Sequence, residues 1–163
     1  SVFGEYMASE VDMIIDAGTS FSYHFQWTQG TTAGSAGVDL TSYTAQIDVR
    51  RSVIADKKLL SLHGTTLNND GTAINSGITN GGTTGEFADG ATFSGLAGAG
   101  GIFLNSSATG GTGMSGGIRI EVDATSTGYI PSGRHFYDLE LSSGSATTRV
   151  LQGRFEVTGS VTR

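Results

Sequence analysis

The chain has no cysteine and only one proline in 163 residues. Without cysteine it has neither a disulfide framework nor a thiolate metal site, so packing and backbone hydrogen bonds must hold the fold. An oxidising compartment is therefore not implied. Cations are scarce as well: nine Lys and Arg stand against fifteen Asp and Glu, for a formal net charge of -6. They read as scattered rather than clustered, so the basic footprint that phosphate binding requires is missing and nucleic acid is not an expected partner. No apolar run approaches the roughly 20 residues needed to cross a bilayer, and the opening SVFGEYMASE lacks a basic segment ahead of an apolar stretch. The expectation is a soluble protein without an export signal or a membrane partner, and Ser1 fits the removal of an initiator methionine.

Glycine is what the chain has in excess. Sixteen of its 26 glycines fall between Gly64 and Gly117, a segment with no Lys or Arg and only three acids, Asp70, Glu86 and Asp89. Glycine costs about 1 kcal/mol relative to alanine in a helix interior, so this density disfavours helix. Phe87, Phe93, Leu96, Ile102, Phe103 and Leu104 give the segment something to bury, which a Gly/Ser spacer lacks. It reads as long loops with short strands inside one domain, on a size prior of about 100 to 200 residues per domain.

Elsewhere the pattern alternates with period two. Phe21, Tyr23, Phe25 and Trp27 oppose Ser22, His24, Gln26 and Thr28; Tyr43, Ala45, Ile47 and Val49 oppose Thr44, Gln46, Asp48 and Arg50. Each is the signature of a half-buried strand. KKLLSL, before His63, reads as another strand. In GIRIEVD, Ile118, Ile120 and Val122 are expected inside, with Arg119, Glu121 and Asp123 outside. VDMII reads as a strand near the start, and ATSTGYIPSG as a connection ending in a turn. The closing stretch forms a hairpin, with Tyr137, Leu139 and Leu141 on one face and Leu151, Phe155 and Val157 on the matching face. Seven or more strands without a convincing helical repeat predict an all-β protein, an antiparallel immunoglobulin-like β-sandwich.

Each motif that could carry chemistry has a plainer reading. GTGMSG, Gly111 to Gly116, satisfies the dinucleotide pattern but precedes a strand, with no βαβ unit. GMSGG spells a nucleophile elbow at Ser115, with Asp123 and His135 following in hydrolase order; the elbow needs a strand before and a helix after the serine, and this segment offers a glycine loop before and a strand after. His24, His63 and His135 have no short ligand spacing and read as surface histidines. NNDGT, Asn68 to Thr72, lacks the downstream acid of a calcium loop. Asp138 and Glu140, at i and i+2, read as solvated strand charges rather than a glycosidase pair. Asn105 opens a glycosylation sequon that matters only in a secretory pathway. The aromatic stripe from Phe21 to Trp27 reads as core rather than a sugar platform. No catalytic residue, cofactor or metal site is assigned.

Three stretches carry a family resemblance: DAGTSFSYHFQW, then GVDLTSYTAQIDVRRS, then GIRIEVDATSTGYIPSGRHFYDLELSSGSATTRVLQGRFEVTGSVTR. Together they resemble small virion proteins of tailed bacteriophages, in a pattern similar to the N-terminal immunoglobulin-like domain of upper baseplate proteins. The resemblance runs from Asp16 to about His63 and from Gly117 to Arg163. It implies a non-enzymatic structural module located in the virion and made in the host cytoplasm, with other virion proteins and copies of itself as partners. A tail or baseplate attachment piece is the first expectation. A capsid decoration protein and a carbohydrate-binding module are the alternatives, though host glycan contact is not indicated by any feature of the chain.

Two segments depart from the resembled pattern, the N-terminal stretch and a Gly-rich insertion over about 77 to 116. The expected layout is an N-terminal assembly arm over residues 1 to 15 and one sandwich domain over 16 to 163. Loops this long are commonly functional or disordered. Both segments are expected to be assembly contacts, through Val2, Phe3, Tyr6, Met7, Phe87, Phe93, Leu96, Ile102, Phe103 and Leu104.

Overall fold

A computed structural model describes residues 8–30, 34–66, 83–86, 92–94, 101–108 and 114–159. Its strands in chain order are β1 (Ser9–Glu10), β2 (Met13–Asp16), β3 (Phe21–Gln26), β4 (Thr44–Arg50), β5 (Leu60–Thr66), β6 (Thr83–Glu86), β7 (Thr92–Ser94), β8 (Gly101–Leu104), β9 (Gly117–Val122), β10 (Gly133–Ser143) and β11 (Ala146–Thr158). One short helix, α1 (Ala124–Tyr129), joins β9 to β10. The protein is all-β. Its strands form one hydrogen-bonded sheet in the order β1-β11-β10-β4-β5-β8-β9-β3, with β2 also on β11 and the β6/β7 pair on β5, curled into a half-barrel.

The sheet is mixed rather than purely antiparallel. β1 and β2 run parallel to β11, and β5 runs parallel to β8. Parallel neighbours need a long crossover, which the glycine-rich stretch between Thr66 and Gly101 provides. The close approach there depends on glycine, because a Cβ at Gly64 would lie 1.7 Å from the Ile102 carbonyl oxygen.

The period-two pattern decides what is buried. Ile47 and Val49 of β4, Leu60 and Leu62 of β5, Ile118, Ile120 and Val122 of β9, and Leu139 and Leu141 of β10 all line the inside of the curl. The aromatic stripe of β3 packs on this core from the edge of the sheet, half-buried. The Phe21 ring meets Phe155 of β11 edge-on at 6.5 Å between centroids, so the curl brings the two ends of the sheet together. Trp27 meets Tyr43 in the same manner at 6.1 Å.

Three sequence expectations change. The assembly arm over residues 1 to 15 does not hold from Ser9 on: β1 and β2 are edge strands of the sheet, and Met13 and Ile15 are in the core at 3% and 2% exposure. Arg119 and Asp123, expected outside, are buried. The Arg119 guanidinium carbon lies over the Phe103 ring, 4.1 Å from its centroid, and the side chain donates to Ser106 Oγ at 3.1 Å and pairs with Glu121; the weakly hydrated guanidinium suits a partly desolvated position on an aromatic face. Asp123 caps α1, its two oxygens accepting from the Ser126 amide at 3.0 Å and the Ser126 hydroxyl at 2.7 Å.

The third change is α1 itself, in a stretch read as a plain connection. Ala-Thr-Ser-Thr-Gly-Tyr is a poor helix on propensity, and tertiary bonds hold it. Buried Thr127 donates to the Thr19 carbonyl at 2.7 Å and accepts from the Gly18 amide at 3.1 Å. The helix thereby ties down the turn from β2 to β3.

Candidate functional site

The side chains that alternate outward from β5, β4, β10 and β11 form a polar groove on the sheet. Gln46, Asp48 and Arg50 project from β4, Phe136, Asp138 and Glu140 from β10, and Ser61 and His63 from β5. Register places Asp48 opposite Asp138 on one side and Ser61 on the other, with Gln46 between Glu140 and His63. A cavity of about 280 Å³ lies over Gln46, His63 and Glu140. It adjoins a groove of about 870 Å³ that runs from Val53 across Phe136 to Glu10 and Asp12 on the β1/β2 edge.

Like charges directly opposite on adjacent strands repel, and each member of the Asp48/Asp138 pair has its own counter-charge. Lys58 Nζ lies 3.3 Å and Arg50 Nη2 3.8 Å from Asp48, while Arg149 Nε lies 3.1 Å from Asp138. Asp48 also accepts from Ser61 Oγ at 2.7 Å and Gln46 Nε2 at 3.0 Å. Burial opposes its ionisation, yet the Gln46 and Ser61 bonds and the Lys58 charge prevail and hold its carboxyl below the usual aspartate value. That is the opposite of what a general acid needs.

Other groups singled out in the sequence do not converge. Ser115 precedes β9 and Asp123 follows it, so a six-residue strand of roughly 20 Å stands between them. Asp123 is occupied in capping α1, and His135 Nε2 donates to the Pro131 carbonyl at 2.7 Å. A triad needs all three in contact, so the hydrolase reading fails. His135 is not a surface residue: it is 1% exposed, and its Nδ1 is buried without a partner. His24 Nε2 bonds the Ser106 carbonyl at 2.8 Å, and His63 Nε2 lies 3.3 Å from Ser61 Oγ. Among the described residues no group of three or more His, Asp or Glu could hold a metal ion.

Asn105, read as a sequon, is a structural residue with φ 53° at the end of β8. Its Oδ1 accepts from the Leu40 and Gly116 amides, both at 3.1 Å, and its Nδ2 donates to Asp39 at 3.0 Å. Of the residues expected as assembly contacts, Ile102, Phe103 and Leu104 are buried at 0%, 7% and 0% exposure. That expectation is corrected for these three, because their apolar surface is already used within the domain. Phe93 lies in β7, opposite Gly85. Val2, Phe3, Tyr6, Met7, Phe87 and Leu96 lie outside the described residues, as do Asn68 to Thr72 and Gly111 to Gly113.

Sequence reasoning missed the turn between β4 and β5. Val53 and Ile54 are 85% and 88% exposed at its tip. The turn closes with the Ala55 amide on the Ser52 carbonyl at 3.2 Å, and Arg50 Nη1 clamps it by donating to the carbonyls of Ala55 at 2.6 Å and Asp56 at 3.0 Å. Turn tips usually carry Gly, Asn, Asp or Pro, so two exposed aliphatic side chains on a hydrogen-bonded turn stand out. The signal was present in RRSVIADKK: Arg50, Arg51, Lys57 and Lys58 are four of the nine cations within nine residues, clustered rather than scattered.

No protein-family model matches the chain, and no curated protein matches it.

Proposed function

We propose that the chain is a non-enzymatic structural module of a tailed-phage virion, a tail or baseplate attachment piece on an immunoglobulin-like sandwich, held by protein–protein contacts. The observation that carries the reading is strand order. β5-β4-β10-β11 follow one another as the C′, C, F and G strands of a variable-type sheet do, and β3-β9-β8 as B, E and D do in the facing sheet. In this view the parallel ladders are additions at the margins. One sets β1 and β2 beside β11, and the other stitches β5 to β8 and makes the two layers continuous.

Surface chemistry favours assembly over the alternatives. Among the described residues β3 pairs only with β9, and β1 and β2 only with β11, which leaves strand edges of the kind that neighbours extend. A carbohydrate-binding module would expose a cluster of aromatic rings. Among the described residues the exposed aromatic side chains, Tyr129 and Phe136, are on different elements, and the Phe21 to Trp27 stripe packs on the core.

The test is mass spectrometry of purified tailed particles, with limited proteolysis of the particle and of the isolated chain. The reading expects the chain at a fixed ratio to the tail proteins, with cleavage within residues 1 to 7 and 77 to 100 of the free chain suppressed in the particle. Absence of the chain from purified particles would sink it.

A further inference from the structure

We infer that the groove across β4, β10 and β11 is a self-association surface, and that its occupant is the β4–β5 turn of a second copy of this chain. The inference rests on the surface alone and does not need the virion assignment.

The groove has two unlike rims. On one side stands the turn with Val53 and Ile54 at its tip and Arg51 exposed beside them; on the other are the exposed carboxylates Glu10 and Asp12 of the β1/β2 edge. β11 and β10 separate β1 from β4, so the rims are about 14 Å apart at ordinary strand spacing. Phe136, 42% exposed, lies between them.

A surface that is apolar and cationic at one end, acidic at the other and aromatic in the middle is complementary to itself. A twofold axis through Phe136 sets each copy's turn on the other's acidic rim and the two phenyl rings near the axis, which is an isologous and closed contact. The groove's charges fit this arrangement. Five carboxylates line it against three guanidiniums, those of Arg50, Arg149 and Arg154. Asp48 is bound by Lys58 and Arg50, and Asp138 by Arg149. Among the described residues no side-chain cation pairs with Glu10, Asp12 or Glu140, and Asp12 accepts from the Arg154 amide. Incoming Arg51 supplies that charge while Val53 and Ile54 cover Phe136. The Arg50 clamp holds the turn in shape beforehand, so little ordering entropy opposes docking.

Sedimentation-velocity ultracentrifugation of the purified chain tests this. A concentration-dependent dimer is expected at low ionic strength, weakened at about 1 M salt, where the screening length falls to about 3 Å. Val53→Ser with Ile54→Ser changes only exposed side chains, so the fold stays intact by circular dichroism. Self-association should weaken about 30-fold, the equivalent of losing a hot-spot contact. Arg51→Glu and Glu10→Lys should each weaken the dimer, and the two together restore it. A wild-type monomer at every concentration overturns the inference. So does a dimer that ignores the serine pair, or one in which the double charge swap gives no rescue.

Discussion

The Tyr137 hydroxyl donates to the Val11 carbonyl at 2.6 Å, joining β10 to the bend between β1 and β2 over a sequence separation of 126 residues. Its register partner on β11 is Gly153. With no side chain at that position, the phenol reaches across β11 to the outer strand. This bond adds to the β1/β11 and β2/β11 ladders in holding the N-terminal edge that forms the acidic rim of the groove.

Tyr137→Phe keeps the edge-on contact with Phe155, now 6.3 Å between centroids, and removes the hydrogen bond. Unfolding in urea should show a loss of about 1 to 2 kcal/mol. Burial, reinforced by electrostatic repulsion from Tyr23 and Asp12, pushes the Tyr137 hydroxyl above its ordinary pKa of 10.0. A pKa raised on folding contributes stability in full below the unfolded value and loses it as pH rises toward the folded value. Wild type should therefore lose stability above about pH 10 in a way the phenylalanine variant does not.

Gly153→Ala should be among the most damaging single changes. Gly153 has φ 156°, and a Cβ there would lie 2.3 Å from the Val11 carbonyl oxygen. A cost of about 2 kcal/mol or more in denaturant unfolding is expected, with faster amide exchange across β1 and β2. Gly144→Ala is the control for backbone strain alone: φ is 59° with nothing within 4 Å, and about 1 kcal/mol is expected.

Asp48→Asn should flatten the acid limb of the stability profile. The Asp48 carboxyl is held below its usual value by Gln46, Ser61 and Lys58 against the opposing effect of burial. A depressed folded pKa contributes stability above the unfolded value of about 3.9 and loses it as pH falls through the folded value. Midpoints for wild type and variant should converge on acidification below about pH 4. Parallel curves would contradict the arrangement.

Thr127→Val removes the hydroxyl that α1 uses to hold the β2–β3 turn and keeps nearly the same shape. Hydrogen exchange should speed up at Gly18, whose amide loses its acceptor. The global cost should be about 1 to 3 kcal/mol, because the Gly18 amide and Thr19 carbonyl lose a partly buried partner.

The inside of the sheet was legible in the sequence because alternation is a local property. Phe155, Val157, Leu139 and Leu141 were read as facing inward and are buried. Val150 was not, because a bulge between Leu139 and Glu140 sets both Val150 and Leu151 against the core at 1% and 3% exposure. An extra residue shifts every later side chain by one face, and no local pattern announces it. Arg119 and His135 were misread for a related reason. Their polarity says outside, and only particular partners make burial tolerable: Ser106 and Phe103 from another strand for Arg119, and the Pro131 carbonyl in the preceding turn for His135.

The candidate groove was even less legible. Glu10, Arg50, Phe136 and Asp138 come from three separate stretches, and nothing in the order of residues says that they share a surface. What the sequence alone determined is strand content, the apolar face of each strand, the absence of disulfides and the glycine needed for close crossings, since each follows from residue type and local spacing. The tertiary structure decided which strands are neighbours, where the sheet turns parallel, and which charges meet across it. Those depend on the free energy of pairings between distant segments, a sum over the whole chain to which no short stretch holds the answer.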